Sequence, residues 1–228
     1  MVKDLVENKP DRTFSFDHAL WSFDGFKNDE HGYSYPVTPK YADQKKVWEL
    51  LGTSVLTKAW GGLNTTLFAY GQTGSGKSYS QFGYGANRGI IPVAADELFK
   101  RIEANKEADL SFQVTLRIIE IYMEKLQDLL VDKSTKGKKD LEIRTLAGKI
   151  TIPDAETVPV SNYKQIQDLM DKGDRNRTVG KTQMNATSSR AHTVVTITFK
   201  KITKNANPNK PPLVMESEIN LVDLAGSE

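Results

Sequence analysis

The stretch FAYGQTGSGKSYSQFG, Phe68 to Gly83, decides how this chain is read. It follows the apolar, β-branched run TTLFAY, which reads as a strand buried on both faces. Gly71, Gly76, Lys77 and Ser78 then satisfy G-x-x-x-x-G-K-[ST] in the required context, with a strand before and helix-compatible residues after. Glycines let successive backbone amides along Gly71, Gln72, Thr73, Gly74, Ser75 and Gly76 point into one concavity around phosphate oxygens. Lys77 supplies the charge that neutralises β- and γ-phosphates, Ser78 a hydroxyl for Mg2+, and the helix N-terminus a partial positive charge. Alone, the pattern implies a P-loop NTPase fold without saying which one.

Two further stretches bear on the same chemistry. INLVDLAGSE is an apolar strand ending in Asp223, and Asp223 with Gly226 has the layout of a metal-facing carboxylate followed by a mobile glycine able to bond a γ-phosphate. NATSSRAH, Asn185 to His192, gathers short hydroxyls and an arginine before a strand. By itself it reads as a serine-rich loop with a solvated arginine; beside the other two it reads as a switch loop.

Around these motifs, strand and helix patterns alternate, which argues for an α/β fold in one domain of 228 residues. KKVWELLGTSVLTKAW spaces Val47, Leu51, Val55 and Ala59 four apart and predicts a helix with that stripe buried, stopped by Gly61 and Gly62. GIIPVAADELFKRI predicts a second helix with Pro92 near its start. SFQVTLRIIEIYMEKLQDLL alternates through Phe112, Val114, Leu116 and Ile118 and changes phase at Ile119 and Ile121, as a bulged strand would. Between Val131 and Pro159 a lysine-rich excursion carries two short strands, LEIR and KITI. NYKQIQDLMDKGD predicts a helix through Tyr163, Ile166, Leu169 and Met170, capped by Ser161 or Asn162. TVVTITF and SEINLVD are strands joined by the loop NANPNKPP.

Composition narrows the functional classes. No cysteine is present, which excludes disulfides and cysteine zinc sites, and His18, His31 and His192 lack metal-ligand spacing. A net charge of +2 gives no general case for nucleic acid. Without an apolar signal segment or a run of spanning length, a cytoplasmic protein with no direct membrane insertion is expected.

GQTGSGKS, NATSSRAH and DLAGSE, in this order, resemble the nucleotide-binding loop (71–78) and the two switches (185–192 and 223–228) of the kinesin motor domain. LNTTLFAYGQTGSGKSY, IIEIYMEKLQDLL and GIIP also look like kinesin, and the similarity runs from about Phe14 to Glu228. IQDLMDKGDRNRTV with GKSY leans toward the vesicle-transporting branch. The resemblance implies a central mixed, mostly parallel sheet flanked by helices on both faces, binding ATP or ADP with Mg2+. It implies hydrolysis by phosphoryl transfer to water, coupled to movement along microtubules at the cytoskeleton.

By the same resemblance, Ser189 joins Ser78 on Mg2+ and Asp223 holds the ion through water. Asn185, Ser188 and the Gly226 amide face the γ-phosphate and attacking water, Arg190 pairs with Glu228, and Tyr79 lies against adenine. Ala191 and Met123 stand where the family usually has serine and asparagine, with small effects expected. Lys133, Lys136, Lys138 and Lys139 form either a tubulin contact or a solvated face; Lys172, Arg175, Arg177 and Lys181 are expected to be solvated. No arginine-proline motif precedes Phe14, and the family's later helices and last strand would follow DLAGSE. Residues 1–228 are therefore expected to be a partial motor domain, with a hydrophobic edge open beside the P-loop strand and cargo or dimer partners bound through regions not present. A non-motor tubulin-binding or nucleotide-sensing module is the other reading, and intact site residues favour the motor.

Overall fold

The computed structural model describes residues 13–132, 140–146, 148–184, 190–207 and 209–228, with backbone alone at 149 and 178–184. The chain divides into two units, Met1–Asp43 and Gln44–Glu228. In the first, β1 (Phe26–Asn28) and β2 (Ser34–Pro36) form a small antiparallel hairpin. Trp21 bridges to Tyr41 there, and the Lys40 ammonium lies 3.4 Å from the centre of the Trp21 ring.

The second unit begins with α1 (Gln44–Val47), a π-helical turn (Trp48–Gly52) and α2 (Thr53–Trp60). There follow β3 (Thr65–Ala69), α3 (Lys77–Gln81), the hairpin β4 (Gly83–Tyr84) and β5 (Asn87–Arg88), and α4 (Ile90–Ala104). The long strand β6 (Leu110–Tyr122) turns into β7 (Lys125–Asp128), and β8 (Arg144–Leu146), β9 (Lys149–Thr151) and β10 (Val158–Val160) lead to α5 (Tyr163–Met184). The long hairpin β11 (His192–Thr203) and β12 (Leu213–Asp223) completes the order.

The main sheet runs β10-β6-β11-β12-β3, with β7 also on β6. It is mixed, as expected, but its balance is the reverse of the expected one: β12 and β3 are parallel, and the other pairings in this sheet are antiparallel. The short connections β6–β7 and β11–β12 impose this, since a tight or simple loop can only reverse a strand.

Period-2 patterning builds the core. Val114, Leu116 and Ile118 of β6, Val195, Ile197 and Phe199 of β11, and Ile219 and Leu221 of β12 share one face by register and are all buried. Against that face pack Leu56 and Ala59 of α2, Ile91, Ala95 and Leu98 of α4, and Ile166 of α5, each fully buried leucine or isoleucine contributing about 2 kcal/mol. Trp60 stacks on Phe199, centroids 5.1 Å apart, and the Ser217 hydroxyl donates to the Ala59 carbonyl at 2.8 Å. Helices were expected on both faces; among the described residues α2, α4 and α5 all lie on this one. The opposite face carries Thr115, Arg117, Thr198, Lys200, Glu216 and Glu218 along one part of the sheet and the apolar row Ile119, Val194, Val222 and Phe68 along another.

Three local readings are corrected. The phase change at Ile119 is not a bulge: β6 and β11 pair without interruption from Thr203↔Leu110 to His192↔Ile121. Ile119 instead belongs to the other face, in a cross-strand row with Val194, Val222 and Phe68. The strand of TTLFAY is not buried on both faces, because it is the last strand of the sheet and Phe68 is 61% exposed. In the first helix, the π turn inserts a residue and advances the buried stripe to Gly52, Leu56 and Ala59, leaving Leu51 37% exposed. Gly52 is required there: a Cβ would fall 2.0 Å from the Trp48 ring.

The other two predicted helices form, α5 running past the predicted NYKQIQDLMDKGD to Met184, while the short strands β1, β2, β4, β5 and β7 have no counterpart in the sequence reading. Asn162 caps α5, its Oδ1 accepting from the Gln165 amide at 3.0 Å, while Gln165 Oε1 accepts from the Ser161 amide at 2.7 Å. α4 begins with Pro92 in its first turn. The excursion holds the hairpin β8–β9, with its first strand placed later than LEIR, and the lysine run at 133–139 lies outside the described residues.

Met123 does have a structural consequence. With φ of 49° at Met123 and 60° at Glu124, the β6–β7 connection is a two-residue turn whose central residues are both left-handed, a conformation suited to Asn-Gly. Exchanging Met123→Asn together with Glu124→Gly should raise the unfolding free energy by about 1 kcal/mol in urea titration.

Candidate functional site

β3 ends at Ala69, and the chain then needs left-handed backbone at Gly74 (φ 81°) and Gly76 (φ 90°) before α3 can start at Lys77. α3 is fixed from three sides. Gln81, fully buried, donates to the Val222 carbonyl at 3.1 Å; Gln44 donates to the Tyr79 carbonyl at 2.6 Å; and the Ser78 hydroxyl donates to Asp223 Oδ2 at 2.5 Å. Asp223 is 6% exposed, and its Oδ1 has no hydrogen-bond partner among the described residues. Lys77 Nζ donates to the Gly71 and Gln72 carbonyls, both at 2.8 Å.

The last segment closes on the loop. Leu224 N–H donates to the Ala69 carbonyl at 3.3 Å and Ser227 N–H to the Gly71 carbonyl at 3.1 Å. Ala225 N–H donates to His192 Nδ1 at 3.0 Å. The Glu228 carboxylate accepts from the Thr73 amide at 2.9 Å and from the Thr73 hydroxyl. These Thr73 bonds, with Lys77 nearby, hold Glu228 below the usual carboxylate range.

Together they enclose a cavity of about 330 Å³ lined by Thr73, Lys77, Ser78, Tyr79, Tyr84 and Asp223. Its geometry suits an anion at the loop amides and Lys77, beside an all-oxygen pair, Ser78 and Asp223, of the kind a hard cation takes. The orphaned Asp223 Oδ1 marks an acceptor still open to such an ion.

Residues 3–228 match the kinesin motor domain as a family. The chain belongs to the kinesin motor domain family. Kinesin-like protein KIF28 of Rattus norvegicus is 43% identical over 230 residues, covering 100% of this chain and 22% of that protein. Kinesin-like protein unc-104 of Caenorhabditis elegans is 40% identical over 224 residues, covering 97% of this chain and 13% of that one. Among solved structures, a KIF14 dimer with AMP-PNP in complex with a microtubule superposes with a TM-score of 0.79 at 36% identity, over 94% of this chain and 57% of its own. The chain thus spans about a fifth or less of these curated relatives.

Within the kinesin domain, the structure brings Gly71 to Tyr79, Asp223, Gly226 and Glu228 into one place. Asn185, Ser188 and Ser189 lie outside the described residues. Arg190 is exposed, and Glu228, its expected partner, is engaged by Thr73 instead. Arg177, expected in a solvated group, is half-buried and pairs with Asp174 at 2.6 Å.

The sequence reading missed four residues: Gln44 and Gln81, which anchor α3; Tyr84, whose ring lies 6.1 Å from Tyr79 at the cavity; and His192. Gln81 lies within the stretch Phe68 to Gly83 and Tyr84 directly follows it, and a glutamine buried at 0% on a five-residue helix signals an anchoring role only once the burial is known.

Two outcomes test this arrangement. A Cβ on Gly226 would lie 2.4 Å from Glu228 Oε1 and 2.6 Å from the Thr73 hydroxyl, so Gly226→Ala should push Glu228 off Thr73 and speed exchange of the Thr73 amide. Because the Glu228 pKa is depressed, its bond to Thr73 should be complete above the ordinary carboxylate range and lost only as pH falls through the lowered folded-state pKa. The Thr73 amide resonance should report that transition, and Glu228→Gln should abolish it.

Proposed function

We propose that this domain is the ATP-hydrolysing head of a microtubule motor, coupling phosphoryl transfer to movement along microtubules in the cytoplasm. The observation that carries the reading is the Ser78–Asp223 contact beneath the glycine loop, with one Asp223 oxygen buried and open. Likeness to a kinesin solved with AMP-PNP on a microtubule supports it. Likeness to unc-104 supports the lean toward the transport branch.

In this reading the amides from Gln72 to Gly76 hold the phosphates, and Lys77 turns from the Gly71 and Gln72 carbonyls to the β- and γ-phosphate oxygens. Ser78, Ser189 and, through water, Asp223 would hold Mg2+, which neutralises charge on the phosphates when bound. Tyr79, backed by Tyr84, lies against the adenine. Asn185, Ser188 and the Gly226 amide position the attacking water and the γ-phosphate, so that catalysis rests on placement and charge.

Glu228 links occupancy to closure. Its carboxylate occupies loop donors that an anion would use, so phosphate binding competes for Thr73 and frees Glu228 for Arg190. The two segments 185–192 and 223–228 then respond to the state of the phosphate. The lysine run at 133–139 is the proposed contact with the acidic tubulin surface; cargo and dimer partners would bind elsewhere in a longer protein.

Lys77→Ala should lower microtubule-stimulated phosphate release by at least about 100-fold. Unchanged release would remove the hydrolytic reading. Replacing Lys133, Lys136, Lys138 and Lys139 by glutamate should weaken microtubule co-sedimentation and flatten its salt dependence while release without microtubules stays as it was.

A further inference from the structure

The ladder between β11 and β12 ends at Thr193↔Asp223. Past that point the backbone of 224–228 has left the sheet, and its N–H groups need other acceptors. Leu224 and Ser227 turn to carbonyls on the phosphate-loop side, Ala69 and Gly71. Ala225 turns the other way, to the ring nitrogen of His192 at 3.0 Å. Gly226 therefore sits between a neighbour tied to the start of β11 and a neighbour tied to the loop.

His192 is suited to this task. It pairs with Ile121 in the sheet and is only half-buried. The pleat turns it to the face opposite Thr193 and Asp223, away from the Ser78–Asp223 pair, so it is not placed to act on a bound phosphate. An imidazole accepts at Nδ1 only when that nitrogen carries no proton, and the bond to Ala225 fixes the ring with its proton on Nε2.

We propose that His192 is a positioning residue: its Nδ1 clamps the Ala225 amide, aims the neighbouring Gly226 amide into the site, and joins the end of segment 185–192 to segment 223–228 directly. The consequence for hydrolysis rests on the motor reading above; the clamp itself does not. Through it, a shift at the start of β11 reaches Gly226 by one side-chain hydrogen bond, without passing through nucleotide.

Two variants separate the acceptor from mere bulk. His192→Leu cannot accept, whereas His192→Asn places Oδ1 close to where Nδ1 lies. The test uses the full-length protein, with amide exchange over 221–228 read by mass spectrometry and over 114–119 as a control for the sheet. In His192→Leu, exchange at Ala225 should quicken at least about 10-fold with the control unchanged, and in His192→Asn it should return to within about 3-fold of the parent. Microtubule-stimulated kcat should fall at least about 10-fold in the leucine variant with KM for ATP within about 2-fold, and the asparagine variant should recover most of it.

Unchanged exchange in His192→Leu, or equal loss of protection in both variants with the control intact, overturns the clamp. Intact protection by His192 with no effect of either variant on kcat overturns the positioning role. If the unaltered protein releases no phosphate, the motor reading falls, and the exchange comparison still decides the clamp.

Discussion

The structure turns on a carboxylate buried at the end of a strand. Removing Asp223 from water costs several kcal/mol unless its oxygens are satisfied, and the protein satisfies one of them, with Ser78. That contact fixes more than two side chains. It requires β12 to lie beside β3 with Asp223 opposite Ala69, because a slip of one residue would turn Asp223 to the other face. It also fixes the start of α3, since Ser78 is the second residue of that helix, and with α3 the direction in which the loop amides point.

A five-residue parallel pairing could not hold that register alone. Its rigidity comes from the antiparallel strands beside it, where β11 pairs along its whole length with β6 and from Thr193 to Thr203 with β12. The helices press on the same sheet from one side. At Gly173 of α5 a Cβ would meet Ile118 at 3.4 Å, so the helix leading toward residue 185 lies directly on the strand that supports β11. The site then forms where open α/β sheets form it, beyond the carboxyl ends of the parallel strands.

How far the sequence was legible follows from the range of each interaction. The loop could be read because glycine conformation and the lysine and serine offsets are local, and the caps of α5 and the period-2 strands are local too. Strand direction is not legible from the family likeness, which implies a mostly parallel sheet; the signal for the antiparallel balance lies in the short reversals at β6–β7 and β11–β12. The π turn was invisible because one extra residue leaves the four-residue spacing of Val47, Leu51, Val55 and Ala59 intact on paper. Gln81 and Gln44 were passed over because a buried amide is indistinguishable from a surface one until its acceptors, Val222 and Tyr79, are placed. The pairing of Glu228 depends on which donors are free, and Thr73 is closer to it here than the sequence order suggests.

The pleat of β11 accounts for how two loops separated in sequence come to act at one point. Successive residues in a strand face opposite sides, so Thr193 looks toward the core beside Asp223 while His192 looks away from it. A single backbone step thus delivers one contact to each side of the segment leaving β12. Asp223 is kept inside by the ladder, Ala225 is drawn outward by the imidazole, and Ser227 returns to Gly71. The chain from 223 to 227 is bent around Gly226 by alternate anchors. A side chain at 226 would meet the Glu228 carboxylate and the Thr73 hydroxyl, so glycine there is what lets these two side chains meet, even though its φ is not left-handed.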